Sequence, residues 1–313
     1  MGTVIDRVAL TERRWRTRRS ALRLAVKAAT DCLKSAGRDP DEVDLLVNAG
    51  IYRDRNLGEP ALAAMIQHDI GANPEDPHGA AHGTFSFDVA NGTCGVLTAL
   101  QIVDGFLRSH TIECALVVAS DANPGHGLSE DFPFSPAGAA LLCHWIEADC
   151  GLERIHWVGV PDDGESFNAT VGLVNGRNVL RFSASDSKNE KFAAAAAQAV
   201  DECLSDSKLR LDEIDAIVTA PAQSGYRAAL ADRLGVAVAQ ITAAQDERMH
   251  TASLAAAFDD AAGRTRQGGR ILLVVAGAGI TAGAGIYRLP SAFTSPWARD
   301  RSRREVPSVD LGG

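Results

Sequence analysis

Two short stretches carry residue types able to act as a nucleophile and its proton partner. Asn91-Gly92-Thr93-Cys94-Gly95 falls between a strand-like run, Thr84–Val89, and a long apolar helical run, Thr93–Ser109. Arg248-Met249-His250-Thr251 opens a second apolar helical run, Thr251–Ala262. A thiol at a helix N-terminus has its thiolate stabilised by the helix dipole and by free N–H groups. A nearby imidazole could take its proton or donate to a developing oxyanion. On this reading Cys94 is the nucleophile and His250 its partner. Thr93 is the weaker nucleophile, because a hydroxyl ionises far less readily than a thiol. The plainer alternatives are a buried structural cysteine and a surface histidine at a helix start. Cys32, Cys114, Cys143 and Cys203 sit within helices or strands and fit the structural role, whereas glycine-flanked turns expose their side chains, as expected for Cys94. A third stretch, VAGAGITAGAGIYRL (Val275–Leu289), offers the backbone N–H groups of Gly277, Ala278 and Gly279 to an anion or an acyl oxygen. It also reads as a tight turn between two core strands. It is no dinucleotide motif, since no amphipathic helix follows its glycines.

The elements that must position these residues occur twice. DEVDLLVN (Asp41–Asn48) is answered by DEIDAIVT (Asp212–Thr219). CALVVASD (Cys114–Asp121) is answered by RILLVVA (Arg270–Ala276), and AGAALLCHW (Ala137–Trp145) by GAGIYRL (Gly283–Leu289). Cys94 precedes Val117 by 23 residues and His250 precedes Val274 by 24; if the halves pack about a pseudo-two-fold axis, both helix starts point to one central site. Near-continuous apolar runs predict buried strands at Val43–Val47, Cys114–Ala119, Ile214–Val218 and Ile271–Val275, in two central sheets. Helices are expected at Arg19–Gly37, Pro60–Gly71, Lys191–Ser205 and Arg227–Gly235. The organisation expected is a first half over 1–150, a connecting segment over 151–190, a second half over 191–289 and a tail over 290–313. The connection is polar and irregular, either an insertion shaping a substrate entrance or a surface link. The tail, with its prolines and arginines, reads as mobile or packed on a partner.

Composition narrows the function classes. The 313 residues are 46% hydrophobic, enough for a large core, and the net charge of −9 argues against a general nucleic-acid or anionic-membrane binder. No apolar run has the length of a membrane-spanning helix, and the first residues lack the order of a signal peptide. The six cysteines form no CxxC pair, which disfavours a metal ribbon or redox motif and points to a cytoplasmic protein with reduced thiols. A GxSxG elbow is missing, which sets aside an unrelated α/β hydrolase.

FDVANGTCGVLTAL (Phe87–Leu100), CALVVASD, PAGAALL, DEIDAIVTAPAQ and VAGAGITAGAGIYRL together resemble the thiolase superfamily, most closely its ketoacyl-ACP synthase III branch. The resemblance runs from about Leu22 to Leu289. It implies an α/β fold, a five-layered αβαβα sandwich of two duplicated halves. It also implies a homodimer with the strand around Phe85–Val89 near the two-fold axis. The implied chemistry is attack of a cysteine on an acyl thioester of coenzyme A or acyl carrier protein, then acyl transfer, with neither metal nor tightly bound cofactor. Departures accompany the match. Ungapped alignment places Thr93 at the family's nucleophile position and Cys94 one residue later. Pro221-Ala222-Gln223-Ser224 has alanine where the family has histidine, and the family asparagine falls near Arg248 to His250. The resemblance places Trp15, Arg18 and Arg19, with Arg227, near the substrate entrance. It also likens the segment around Glu59 to one in head-to-head condensing enzymes of olefin biosynthesis, where a glutamate serves the partner's site as a base. The function expected is a thioester-dependent acyltransferase or non-elongating condensing enzyme with the acyl group on Cys94. The alternative is a catalytically degenerate homologue that binds acyl chains or supports a partner condensing subunit.

Overall fold

Strands whose alternate side chains are buried on both sides require a sheet covered on both faces, and Leu45-Leu46-Val47 and Leu272-Leu273-Val274 are such runs. A computed structural model describes residues 1–11, 20–53, 55, 59–73, 83–125, 127–162 and 164–291. The first half lays down β1 (Gly2–Thr11), α1 (Ala21–Ala36), β2 (Leu45–Asn48), α2 (Leu62–Ile70), β3 (Phe85–Asp88), α3 (Gly95–Arg108), β4 (Cys114–Asp121) and β5 (Ala137–Ile146). The second half begins with β6 (Gly151–Gly159), the hairpin β7 (Phe167–Val174) and β8 (Arg177–Ala184), and α4 (Lys188–Ser207). It continues with β9 (Ala216–Ala220), α5 (Ser224–Leu234), β10 (Ile241–Thr242), α6 (Ser253–Arg264), β11 (Arg270–Gly277) and β12 (Thr281–Arg288).

Strand order gives the duplication its physical form. The main sheet runs β10-β9-β11-β12-β6-β1-β5-β4-β2-β3. Read outward from the β6–β1 junction, each half pairs antiparallel, antiparallel, parallel, parallel. The two expected sheets are therefore joined into one ten-stranded sheet, through the single β1–β6 pairing of Thr3 with Leu152. The inner faces, with Leu45, Val47 and Val117 on one side and Val218, Leu273 and Val275 on the other, share one core with α3 and α6. The outer faces pack against α1 and α2 in the first half and against α4 and α5 in the second. The result is α-β-α-β-α, as the resemblance implies.

The repeated acidic motif has a structural cause. Asp44 accepts from the backbone N–H groups of Glu113 and Cys114 at the start of β4. Asp215 accepts in the same way from Arg270 at the start of β11. Each acid thus ties its strand to its neighbour. α1 begins at an N-cap, Ser20, and stops where Gly37 takes a left-handed φ of 66°.

Residues 151–190 depart from expectation. β6 belongs to the second half of the main sheet, and most of the remainder forms a regular hairpin. Its turn, Asn175-Gly176, has φ of 50° and 75°, the doubly left-handed geometry that suits a two-residue hairpin loop. The expected tail lies outside the described residues beyond Ser291.

Candidate functional site

The pseudo-symmetry brings the starts of α3 and α6 to one cavity of about 580 Å³. Gly92 and Thr93, in the tight turn before α3, meet Met249 and His250, in the turn before α6. Gly277 and Ala278, from the β11–β12 turn, complete that end of the wall. The β7–β8 hairpin contributes Phe167, Val171 and Leu180, and α4 contributes Lys188 and Phe192. Such a concave, largely apolar space with a few convergent polar groups is the usual form of a small-molecule site.

His250 is held on two sides. Its ring stacks on Phe134 with centroids 4.0 Å apart and lies 5.3 Å from Tyr52. Its Nδ1 is 3.2 Å from Asp121 Oδ2, and both residues are buried. Asp121, at the end of β4, also accepts from the Thr251 hydroxyl at 2.6 Å and from the backbone N–H groups of Thr251, Tyr52 and Ile51. Burial opposes its charge, but the His250 ring, the Thr251 bonds and the Tyr52 N–H outweigh it and hold the carboxyl below the usual carboxylate range. An ionised carboxylate only accepts, so in the neutral ring it is Nδ1 that carries the proton and Nε2 that is left as the acceptor. Nε2 faces Gly92, where a Cβ would come within 3.6 Å of it. Gly92 has a φ of 50°, so its missing side chain both permits the turn and leaves space beside the ring nitrogen.

The nucleophile expectation needs correction in its geometry. Thr93, not Cys94, lines the cavity. The Thr93 hydroxyl donates to the Ala276 carbonyl in a very short bond. Cys94 is fully buried in the shared core, its thiol against the Thr281 carbonyl at 3.5 Å. Burial pushes that thiol up to about 12. Thr93 and Cys94 share a 3-10 turn, in which one residue of offset turns a side chain by about 120°, which separates a cavity-facing position from a core-facing one.

The other expected site residues scatter. Gly277 and Ala278 line the wall, and a Cβ on Gly277 would meet Cys94 Sγ at 3.1 Å and Thr93 Oγ1 at 3.3 Å. Gly279 sits in the exposed turn, outside the wall. Glu59 is exposed and does not reach the cavity of its own chain. Arg227 lies on α5 outside the wall, its Nε buried with no hydrogen-bond partner among the described residues. Trp15, Arg18 and Arg19 lie outside the described residues. Ala222 is buried between two wall residues, Pro221 and Gln223. Asp121 escaped sequence reasoning, although an acid closing an apolar strand, CALVVASD, is a signal for a ligand-facing strand end. Lys188 and the hairpin escaped it too, although Asn-Gly between alternating residues marks a hairpin. No group of His, Cys, Asp or Glu suited to a metal occurs among the described residues. Nor is any helix there long and apolar enough to cross a membrane.

Residues 204–289 match the family model described as 3-Oxoacyl-[acyl-carrier-protein (ACP)] synthase III C terminal. The chain is 29% identical over 292 residues to a beta-ketoacyl-[acyl-carrier-protein] synthase III of Novosphingobium aromaticivorans, covering 85% of this chain and 83% of that one. The corresponding protein of Erythrobacter litoralis is 28% identical over 286 residues, with 85% and 83% covered. Among solved structures, 3-oxoacyl-(acyl carrier protein) synthase III from Pseudomonas aeruginosa superposes with a TM-score of 0.75 at 19% identity, over 95% of this chain and 100% of that one. An OleA variant from Xanthomonas campestris superposes with a TM-score of 0.74 at 15% identity, over 91% and 98%.

Proposed function

We propose that this chain, which belongs to the ketoacyl synthase III-like branch of the thiolase superfamily, transfers acyl groups from a coenzyme A or acyl carrier protein thioester without decarboxylative condensation. One observation carries this reading: the Asp121–His250 pair presents Nε2 to the cavity while neither the Thr93 hydroxyl nor the Cys94 thiol is poised as a nucleophile. Asp121 fixes the ring tautomer and its orientation, and stabilises the imidazolium that forms. Nε2 takes the proton of an acceptor hydroxyl, amine or water in the space beside Gly92. The acceptor atom attacks the thioester carbonyl, the C–S bond breaks, and the imidazolium returns the proton to the departing thiolate. Backbone N–H groups around Gly277 and Ala278 are the candidates to meet the developing oxyanion. Ala222 offers no donor to an enolate, which weighs against chain elongation with malonyl thioesters. The same alanine and the sealed Cys94 favour a second reading, an acyl-binding partner subunit without turnover.

Incubation with a panel of acyl thioesters separates the two. Transfer to solvent or added acceptors is expected, with no mass adduct on Cys94 and no carbon dioxide from malonyl-CoA. Iodoacetamide should label Cys94 no faster than Cys32 or Cys143, since burial holds all three thiols protonated. His250→Ala should slow transfer by about a hundredfold or more. Binding without transfer across the panel supports the partner-subunit reading, and a Cys94 adduct overturns direct transfer to the acceptor.

A further inference from the structure

The cavity wall is electrostatically one-sided. The whole chain carries an excess of nine negative charges, yet no Asp or Glu occurs among the described residues of the wall, which includes Arg53 and Lys188. Asp121 stands behind His250 and already accepts five hydrogen bonds. Lys188 is the residue to follow. Its Nζ lies 3.0 Å from the neutral Gln223 Oε1 and 5.7 Å from the centre of the Phe167 ring. No carboxylate among the described residues pairs with it, whereas its neighbours are matched. Lys191 meets Asp162 and Glu165, and Glu190 meets Arg233. Burial alone draws its ammonium below the usual lysine range, so the folded chain bears a cost there that an anion would relieve.

We propose that the cavity selects acyl groups bearing their own carboxylate, which Lys188 binds. The reading rests on the acyl-thioester function above for the identity of the ligand. Charge matching favours an acyl carboxylate over a carrier phosphate. One compact ammonium, flanked by an amide and an aromatic ring, suits a single monoanion at the end of a hydrocarbon chain. Phosphate recognition usually draws on several cations or on forked arginine pairs; here Lys191 is held by Asp162 and Glu165, Arg233 by Glu190, and Arg53, the other cation of the wall, donates to the Pro60 carbonyl.

The test uses binding, so that it reads independently of turnover. Two thioether analogues of N-acetylcysteamine, S-(3-carboxypropyl) and S-(3-carbamoylpropyl), have the same shape, differ in charge and lack every carrier phosphate. By calorimetry on the full chain, the carboxylate should bind at least about tenfold tighter than the amide, the size of one charge-assisted hydrogen bond. Lys188→Met should erase that preference, and Lys188→Arg should restore most of it. Equal binding of the two analogues by the unaltered protein overturns the proposal. So does a preference that survives Lys188→Met. An effect of Lys188→Met seen only with coenzyme A thioesters, equally for charged and neutral acyl groups, assigns the lysine to the carrier phosphate and overturns it as well. Selective binding without acyl transfer would sink the catalytic reading alone.

Discussion

At the residue scale, Asp121 sets the state of His250. An Asn at that position keeps an acceptor but also presents an NH2 group to Nδ1, and so favours the ring tautomer with its proton on Nε2. Asp121→Asn should therefore lower kcat, by up to about 10⁴-fold, with a smaller effect on KM. It should also cost about 1–3 kcal/mol of stability through imperfectly matched buried groups. The pH dependence has a definite sign. The Asp121 carboxyl is held below its ordinary value in the folded chain. Its stabilising contribution is therefore fully present above the unfolded carboxylate value, about 3.9, and is lost as pH falls through the lower folded value. Thermal denaturation followed between pH 6 and 2 should show a fall in midpoint at the acid end that is blunted in Asp121→Asn. An identical acid profile in both proteins would show that Asp121 is not the group responsible.

At the element scale, the turn before α3 joins two demands at Gly92. A left-handed residue with a Cβ costs roughly 1–2 kcal/mol, and here that Cβ would also occupy the space 3.6 Å from His250 Nε2. Gly92→Ala should therefore fold with a lowered melting temperature and lose acyl transfer. Gly37→Ala is the matched control. Gly37 has a comparable φ of 66°, closes α1, and would place its Cβ in open space. It should lose similar stability and keep full activity. Parallel melting curves and initial rates on the two variants decide the point: equal activity in both would mean that the space beside Nε2 is not where the acceptor sits.

At the scale of the whole molecule, the ten-stranded sheet ends at β3, paired only with β2 among the described residues. Phe85 on that edge is 59% exposed and its ring lies 5.3 Å from that of Phe87. An unpaired edge with exposed aromatic surface invites pairing with another strand. We expect two copies to associate there. Sedimentation should give a dimer at micromolar concentration, and Phe85→Asp should shift it to monomer. A monomeric unaltered chain would remove the expectation.

The amino-acid sequence by itself determined the duplicated organisation. DEVDLLVN and DEIDAIVT repeat one local pattern, an acidic turn followed by an apolar run of strand length that leaves few options for burial. It also determined that Thr93, Cys94 and His250 stand at helix starts, because the glycines flanking Thr93-Cys94 and the helical period of the two apolar runs are local signals. Only the tertiary structure decided which of Thr93 and Cys94 meets the cavity. They are adjacent in the chain, and the choice depends on the rotation of one turn against β11, where the Ala276 carbonyl accepts from Thr93 and Gly277, lacking a Cβ, leaves room for both side chains. Asp121 and His250 are 129 residues apart, and no periodicity links them. Their contact exists because the two halves pack their inner faces on shared helices, which brings the end of β4 beside the start of α6. Lys188 is likewise an ordinary helix-start lysine in the sequence, and becomes a cavity-wall charge with no carboxylate partner among the described residues only once the hairpin folds over it.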